Sequence, residues 1–229
     1  VADADRSARA QSLIGEADEK AGKFHDAAQH FVRAAELEPS EENAWMLGVE
    51  FLRHWTFDAA ATEFEAASAK FPDSKRIRLG LGAALFGAAQ YAKAVPVFAE
   101  LLKDEPNNAA YAEMLGLACN APSDSLNPQC SALVAHAASH PGDAKAATEA
   151  AAFLLAQSNE DEESLAQAKE LLTHAIAADP ALPDAQYRMG VVLQDSSDWK
   201  GSIPFLERAV KLKPDYAQVW VNRARALQV

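Results

Sequence analysis

The two residues whose spacing best suits metal chemistry are His136 and His140. Residues four apart lie on the same side of a helix, so both imidazoles could bind one ion. Such a site needs at least a third protein ligand, and the sequence places no further histidine, cysteine or carboxylate convincingly beside the pair. We therefore expect no metal ion here, and we interpret His136 as a structural histidine packed between helices.

A second candidate for chemistry is the acidic run from Glu160 to Glu163. Its carboxylates could attract a cation, but the run lacks the spaced oxygen ligands and the turn glycine of a calcium-binding loop. We interpret it as a solvated loop. The sequence also lacks a glycine-rich phosphate loop, a Gly-x-Ser-x-Gly elbow and a His-Glu-x-x-His motif. The expectation is a protein without catalytic residues and without a cofactor.

The two cysteines of the chain, Cys119 and Cys130, are a candidate disulfide. They flank a proline- and serine-rich segment at 120–128, which stands where a short turn between two helices is expected. A disulfide would close this loop and stabilise the fold by about 2–3 kcal/mol, and it would favour a periplasmic or secreted location. The alternative is that both cysteines are small buried apolar residues, which would favour a cytoplasmic location.

The charge of the chain argues against two classes of partner. The 229 residues include 33 acidic and 21 basic ones, for a formal net charge of −12. Such a surface repels phosphate backbones and anionic lipid, so we expect no nucleic acid partner. No apolar run reaches the roughly 18 to 20 residues that a membrane-spanning helix needs, so we expect no membrane insertion.

Regularly spaced prolines indicate the repeated helical units that position these residues. Six prolines recur at intervals of 33, 34, 35, 39 and 34 residues: Pro39, Pro72, Pro106, Pro141, Pro180 and Pro214. A period near 34 indicates one helical unit copied along the chain, because each copy buries its apolar face only against its neighbours. In the unit from Lys75 to Asn108, apolar residues at helical spacing predict two helices, which are separated by a break at 87–90.

Each copy carries small and bulky residues at fixed positions. About two dozen residues before five of the prolines stands a glycine: Gly15, Gly48, Gly82, Gly116 and Gly190. Twelve residues after four of these glycines stands a small residue: Ala27, Ala60, Ala94 and Ser202. Eight residues before each proline stands a large apolar one: Phe31, Phe64, Phe98, Leu133, Leu172 and Leu206. Small residues let two helices approach and bulky ones fill the adjoining gap, so the pattern predicts packed helix pairs.

This register resembles the tetratricopeptide repeat, whose 34-residue unit carries Leu-Gly, then Ala and Phe, and a closing proline. The resemblance implies an all-α fold, a right-handed α-α superhelix of about six helix-turn-helix repeats plus a final helix. It predicts one domain over 1–229, with repeats at about 8–40, 41–74, 75–108, 109–143, 144–182 and 183–216 and a terminal helix at 217–228. The fourth and fifth repeats depart from the pattern, through the segment 120–128 and an acidic loop at 158–164.

In this family the first helices of the repeats line an inner surface, so the resemblance also implies a peptide-binding groove. The predicted groove residues are Trp45, Val49, Leu52, Arg53, Arg76, Leu79, Phe86, Glu113, Leu117, Tyr187 and Val191. The same inner positions include the charged residues Glu16, Glu19, Lys20, Glu42 and Asp184. Exposed apolar patches mark interaction surfaces. We therefore expect a protein or peptide ligand with apolar and basic residues.

The function that this pattern predicts is a non-enzymatic scaffold for protein–protein interaction. Two alternatives stay open. The final helix, with Val219, Trp220 and Leu227, could pack against a second copy and form a homodimer. The array could also be the targeting arm of a larger enzyme. The protein would accordingly be a monomer or a homodimer.

Overall fold

The computed structural model describes residues 7–122, 127–157 and 162–228. Within them the chain forms thirteen α-helices and one short 3-10 turn, without a β-strand, so the predicted all-α fold is confirmed. None of the described helices is both long enough and apolar enough to cross a membrane. The chain divides into two compact units, Val1–Leu101 and Leu102–Val229. The predicted single domain, with its repeat bounds, stays a prediction.

The first unit is built from consecutive helices joined by short turns. These are α1 (Ala8–Lys20), α2 (Phe24–Leu37), α3 (Glu41–Arg53), α4 (Phe57–Lys70), α5 (Lys75–Gly87) and most of α6 (Tyr91–Asp104). Helix α1 packs against α2, α3 packs against α4, and α4 also packs against α5. Each helix therefore buries its apolar face against its sequence neighbours, as expected of a repeat array.

The second unit continues the helices with less regular connections. These are α7 (Ala109–Cys119), a 3-10 turn (Pro128–Cys130), α8 (Ser131–Ser139), α9 (Ala144–Gln157), α10 (Glu162–Ala178), α11 (Pro183–Asp195), α12 (Trp199–Leu212) and α13 (Ala217–Ala226). Helix α9 contacts α7, α8 and α10, and α11 packs against α12. The unit thus keeps the neighbour-to-neighbour packing of the first.

Polar side chains just after the repeated prolines start several helices. Ser40 and Ser74 accept hydrogen bonds from backbone amides in the first turns of α3 and α5, each at 3.3 Å. Asn108 does the same for α7 at 3.1 Å. Such a cap satisfies an amide that has no partner within the helix and contributes about 1 kcal/mol. Helix α11 begins instead with Pro183, whose ring presets a helical φ and which has no amide hydrogen to satisfy.

The bulky residues that the register predicts fill the space between paired helices. Phe31, Phe64 and Phe98 are each at most 4% exposed. The ring of Phe64 lies so close to Gly48, and that of Phe98 so close to Gly82, that a Cβ on either glycine would overlap with the ring. The predicted packing positions are therefore confirmed, and the glycines are required by close approach.

The turns within the regular helix pairs share a left-handed residue, always seven positions after the repeat glycine. It is Gly22 with φ of 74°, Trp55 with 60°, Ala89 with 57° and Ser197 with 62°. Only glycine adopts this conformation without steric cost. Trp55 is therefore unusual, because a bulky aromatic residue takes the strained position and its side chain stays 79% exposed.

Candidate functional site

The first unit contains a cavity of about 400 Å³. Helix α1 contributes Glu16, Glu19 and Lys20, α2 contributes Phe31, and α3 contributes Glu42, Trp45, Met46, Val49, Glu50 and Arg53. Helix α3 provides most of the lining because its residues three or four apart lie on one face. The cavity combines an apolar surface with four carboxylates and two cationic side chains.

The apolar part of the cavity is anchored to the core of the unit. Trp45 is half-buried, and its ring lies 5.8 Å from that of the fully buried Phe64. Met46 packs against a buried cluster that includes Phe31 and Leu47. These side chains are held by packing without a ligand, so the cavity is largely pre-formed.

Arg76 connects α5 to α3 beside Trp45. Its Nε donates to Glu41 Oε1 at 2.6 Å, and its Nη2 donates to Glu42 Oε2 at 2.8 Å. The Ser74 hydroxyl donates to the same Glu41 oxygen at 2.8 Å. These hydrogen bonds, from Ser74 and from Arg76, hold the pKa of Glu41 below its usual value. Arg76 lies 5.8 Å from the centre of the Trp45 ring, so this network helps to position the indole.

A second charged cluster combines Glu19 of α1 with three residues near the end of α3. Arg53 Nη1 lies 3.2 Å from Glu19 Oε1 and 3.4 Å from Glu50 Oε2. His54 Nε2 lies 3.0 Å from Glu19 Oε2 and 3.3 Å from Glu50 Oε1. The Glu50 side chain is only 2% exposed and that of Glu19 is 15% exposed. Two carboxylates therefore share one arginine and one histidine in a confined space.

The two carboxyl groups of this cluster differ in proton affinity. Burial and the negative charge of Glu19 raise the pKa of Glu50. Burial raises the pKa of Glu19 as well, but hydrogen bonds from His54 and Arg53 more than offset it, and the pKa lies below its usual value. Glu19 therefore keeps its negative charge more readily, and Glu50 is the carboxyl that gains a proton first.

Sequence reasoning missed Glu50 and His54. Both are outside the inner positions that the family resemblance transfers, and their contacts with Glu19 cross from one repeat to the next. One signal was available. Glu50 interrupts the apolar run Val49–Leu52, where a carboxylate requires a partner, and His54 follows it at the helical spacing of four.

The predicted groove residues of the first unit divide into three groups. The cavity brings together Trp45, Val49 and Arg53. Arg76 lies next to Trp45 but is paired with two carboxylates. The other predicted residues are half-buried and do not line the cavity: Leu52, Leu79 and Phe86. A role for any of them in ligand binding stays a prediction.

The predicted groove residues of the second unit have varied surroundings. Glu113 accepts a hydrogen bond from Lys145 Nζ at 2.8 Å. Leu117 is 45% exposed. Tyr187 packs against the buried cluster of α12 and α13, and burial raises the pKa of its hydroxyl. Val191 is half-buried. Of these four residues, Leu117 is the most exposed apolar side chain, and Tyr187 is partly a core residue.

The ring nitrogens of the histidine pair, which the sequence predicts to be structural, all have contacts within the chain. His136 is 6% exposed, with Nδ1 3.1 Å from the Pro106 carbonyl oxygen and Nε2 3.2 Å from Asp143 Oδ2. His140 stacks on it at 4.3 Å between ring centres, and its Nε2 lies 2.9 Å from Asn107 Oδ1. The second ring nitrogen of His140 lies 3.0 Å from the His136 carbonyl oxygen. Contacts within the chain therefore occupy all four ring nitrogens.

Cys119 and Cys130 are joined as a disulfide, with their Cα atoms 5.9 Å apart. Cys119 is the last residue of α7, and Cys130 ends the 3-10 turn before α8. The bond closes the predicted loop, of which residues 123–126 lie outside the described part of the chain. Formation of the disulfide in solution stays a prediction.

The acidic run from Glu160 to Glu163 is only partly described. Its first two residues, 160 and 161, lie outside the described part of the chain, and α10 begins at Glu162.

One residue of the predicted dimer surface is not available. Val219 is fully buried against Leu206 and Ala209, so its assignment to a free surface was wrong. The reason is that α13 packs on α12 through this residue, which completes the local core. Trp220 and Leu227 are exposed, at 46% and 56%.

The helix pairs define a helical repeat protein, and comparison with known proteins identifies the repeat. The family model described as the tetratricopeptide repeat matches residues 56–117. Solved structures share the fold over nearly the whole chain. The resemblance found in the sequence is therefore confirmed for residues 56–117, and for the rest of the chain the comparisons show the fold.

Three solved structures illustrate this likeness. MamA (41-end) from Desulfovibrio magneticus RS-1 is 17% identical with a TM-score of 0.55, over 91% of this chain and 96% of that one. PilF from Pseudomonas aeruginosa is 17% identical with a TM-score of 0.59, over 97% and 99%. YrrB, described as a TPR protein with an unusual peptide-binding site, is 15% identical with a TM-score of 0.55, over 98% and 93%. At these identities the likeness shows the fold. Comparison with curated protein sequences gives no match.

Proposed function

We propose that the protein is a non-enzymatic scaffold that binds a peptide or a segment of a partner protein, with the cavity of the first unit as an anchor point. The observation that carries the proposal is the half-buried indole of Trp45 in a cavity ringed by carboxylates. Apolar side chains left accessible in this way are typical of interaction surfaces. Tryptophan is also among the residues that most often dominate binding energy.

The charges around the cavity favour a ligand with basic residues. Four carboxylates line it against two cations, and Arg53 is already paired with Glu19 and Glu50. A lysine or arginine of the ligand could lay its aliphatic stem on Trp45 and place its charged end among the carboxylates. An acidic ligand would meet repulsion at the same place. The proposed ligand is therefore a peptide that combines apolar and basic side chains.

The remaining predicted groove residues belong to this proposal as secondary contacts. In the first unit, Leu52, Leu79 and Phe86 are half-buried apolar side chains that an extended ligand could cover. Within the second unit by itself, Leu117 offers the most exposed apolar side chain of the predicted groove residues, at 45%. Tyr187 is already partly buried against the cluster of α12 and α13, so it offers less new contact area and we rank it lower.

The comparisons support the type of function. The matching family model describes a repeat and not a catalytic domain. YrrB, which shares the fold, is described as having a peptide-binding site. We transfer from it only the kind of ligand, because 15% identity does not carry a binding site from one protein to another.

Fluorescence anisotropy with short labelled peptides tests the proposal. One set alternates apolar residues with lysine or arginine, and a matched set carries glutamate at the basic positions. We expect binding of the basic set, and we expect Trp45→Ala to weaken the tightest peptide by at least about tenfold, as for a buried aromatic anchor. Trp220→Ala is the matched control, because this exposed tryptophan lies in the second unit. Tighter binding of the acidic set, or equal losses in both variants, would refute the proposal.

A further inference from the structure

We propose that Glu19, Glu50 and His54 form a binding site for a divalent transition-metal ion of the zinc class. Each residue offers one ligand atom, and the three atoms lie within 4.8 Å of one another. Two helices hold them, α1 through Glu19 and α3 through Glu50, with His54 directly after α3. The site lies beside the proposed peptide anchor but does not depend on a peptide ligand.

Both distances from the imidazole to the carboxylate oxygens are already close to those of a metal site. His54 Nε2 lies 3.0 Å from Glu19 Oε2 and 3.3 Å from Glu50 Oε1. Around a tetrahedral zinc ion with bonds of about 2.0–2.1 Å, neighbouring ligand atoms are separated by about 3.3 Å. An ion could therefore bind with only small movements of these side chains. Three protein ligands would leave the fourth position for water.

An unsatisfied oxygen gives independent support. The Oε1 atom of Glu50 is buried and, apart from its 3.3 Å contact with His54 Nε2, has no hydrogen-bond partner. His54 Nε2 can donate at most one hydrogen, and Glu19 Oε2 is the closer acceptor and makes that hydrogen bond. A buried carboxylate oxygen that accepts no hydrogen bond is costly. A cation between Glu50 and His54 would satisfy it.

Neighbouring side chains orient the three ligands. Arg53 Nη1 lies 3.2 Å from Glu19 Oε1 and 3.4 Å from Glu50 Oε2, which are the oxygens not facing His54. The arginine thereby turns the other oxygen of each carboxylate towards the imidazole. The ring of Phe24 lies 4.4 Å from that of His54 and fixes its plane. Contacts from residues that surround the metal ligands commonly set the orientation of those ligands and raise metal affinity.

The donor set selects the class of ion. One imidazole nitrogen and two carboxylate oxygens suit zinc and also cobalt and nickel, which accept mixed donors. Calcium and magnesium prefer oxygen ligands alone and higher coordination numbers. The two carboxylates also supply the negative charge that a divalent ion needs. We therefore infer a Zn²⁺, Co²⁺ or Ni²⁺ site.

Titration of the tag-free full chain with Zn²⁺ and Co²⁺ tests the site. We expect calorimetry to show one ion per chain. We also expect bound Co²⁺ to absorb visible light with the intensity typical of a low coordination number. His54→Gln and Glu50→Gln are each expected to weaken binding by more than about tenfold. Glu19→Gln serves as a further variant, because its partly exposed side chain is easier to change without unfolding the chain.

Two matched controls make the outcome specific. His140→Gln changes the histidine pair of the second unit, and Glu42→Gln changes a carboxylate of the cavity outside the cluster. Both are expected to bind the ion as the wild type does. The proposal is overturned if the wild type binds no stoichiometric ion. It is equally overturned if binding survives in the His54→Gln and Glu19→Gln variants. Peptide binding is measured separately, so failure of the metal site leaves the proposed anchor intact.

Discussion

At the scale of single residues, the helix pairs depend on glycines that leave room for an aromatic ring. Phe64 of α4 is fully buried, and its ring lies against Gly48 of α3 and Gly80 of α5. A Cβ on either glycine would overlap with the ring. One phenylalanine thus couples three consecutive helices through close backbone approach. This is a packing requirement and not one of backbone conformation, since neither glycine has a positive φ.

Substituting alanine for Gly48 tests that requirement. In an unobstructed helix interior the change stabilises the fold by roughly 1 kcal/mol. Here the new methyl group would displace Phe64, so we expect the free energy of unfolding to fall by about 1–3 kcal/mol. Urea denaturation followed by circular dichroism measures the change.

Gly142→Ala is the control for this substitution. Apart from its two chain neighbours, no residue has an atom within 4 Å of a Cβ at Gly142, so we expect a change within about 0.5 kcal/mol. If Gly48→Ala were as stable as the wild type, the coupling through Phe64 would be wrong.

Residue-scale prediction succeeded for packing and failed for polar clusters. The proline period and residue size alone locate Phe31 and Phe64 in the core, because repeat geometry decides which positions face the paired helix. The cluster of Glu19, Glu50 and His54 could not be located in this way. It depends on which side chains of adjacent repeats converge, and each repeat differs most in its polar residues. Three predicted groove residues, Trp45, Val49 and Arg53, line the cavity. Repeat geometry decides which way these positions face, so they do not depend on knowing which polar side chains converge.

At the scale of elements, the connection between α7 and α8 is irregular in the part that the structure describes. A disulfide and a 3-10 turn stand where the four regular helix pairs use a short turn with one left-handed residue. Sequence alone indicated the irregularity through its prolines and serines. It left the pairing of the cysteines open, because two thiols near a loop could also be buried separately. The distance between them is a tertiary property.

Reduction of this disulfide is expected to weaken the second unit. The bonded cysteines are 11 residues apart, and releasing such a loop costs about 2–3 kcal/mol by the entropy of the unfolded chain. We expect a lower urea midpoint for the wild type in reductant. Thiol titration of the unfolded chain without reductant should find no free thiol.

The double variant Cys119→Ser, Cys130→Ser is the control for this experiment. It should unfold at the lower midpoint whether or not reductant is present. Identical midpoints for the wild type with and without reductant would show that the bond contributes no stability.

At the scale of the whole molecule, the excess of acidic residues acts together with the local charges of the cavity. The formal charge of −12 attracts a basic ligand over a distance that ionic strength controls. Contacts with Trp45 are short-ranged and do not depend on salt in this way. Added salt should therefore weaken binding through a slower association rate. Mutation of Trp45 should weaken it through the loss of short-range contacts.

The salt dependence of peptide binding tests this division. For the basic peptide that binds most tightly, we expect the dissociation constant to rise several-fold as NaCl increases from about 0.05 to 0.5 M, because screening shortens the range of the charge interaction. Stopped-flow measurements should assign most of the change to a slower association rate, the usual result for electrostatic steering. A peptide with glutamine at each basic position is the control and should bind with little salt dependence. Equal salt dependence of the two peptides would mean that the acidic surface does not select the ligand, and that only the apolar contacts with Trp45 and its neighbours do.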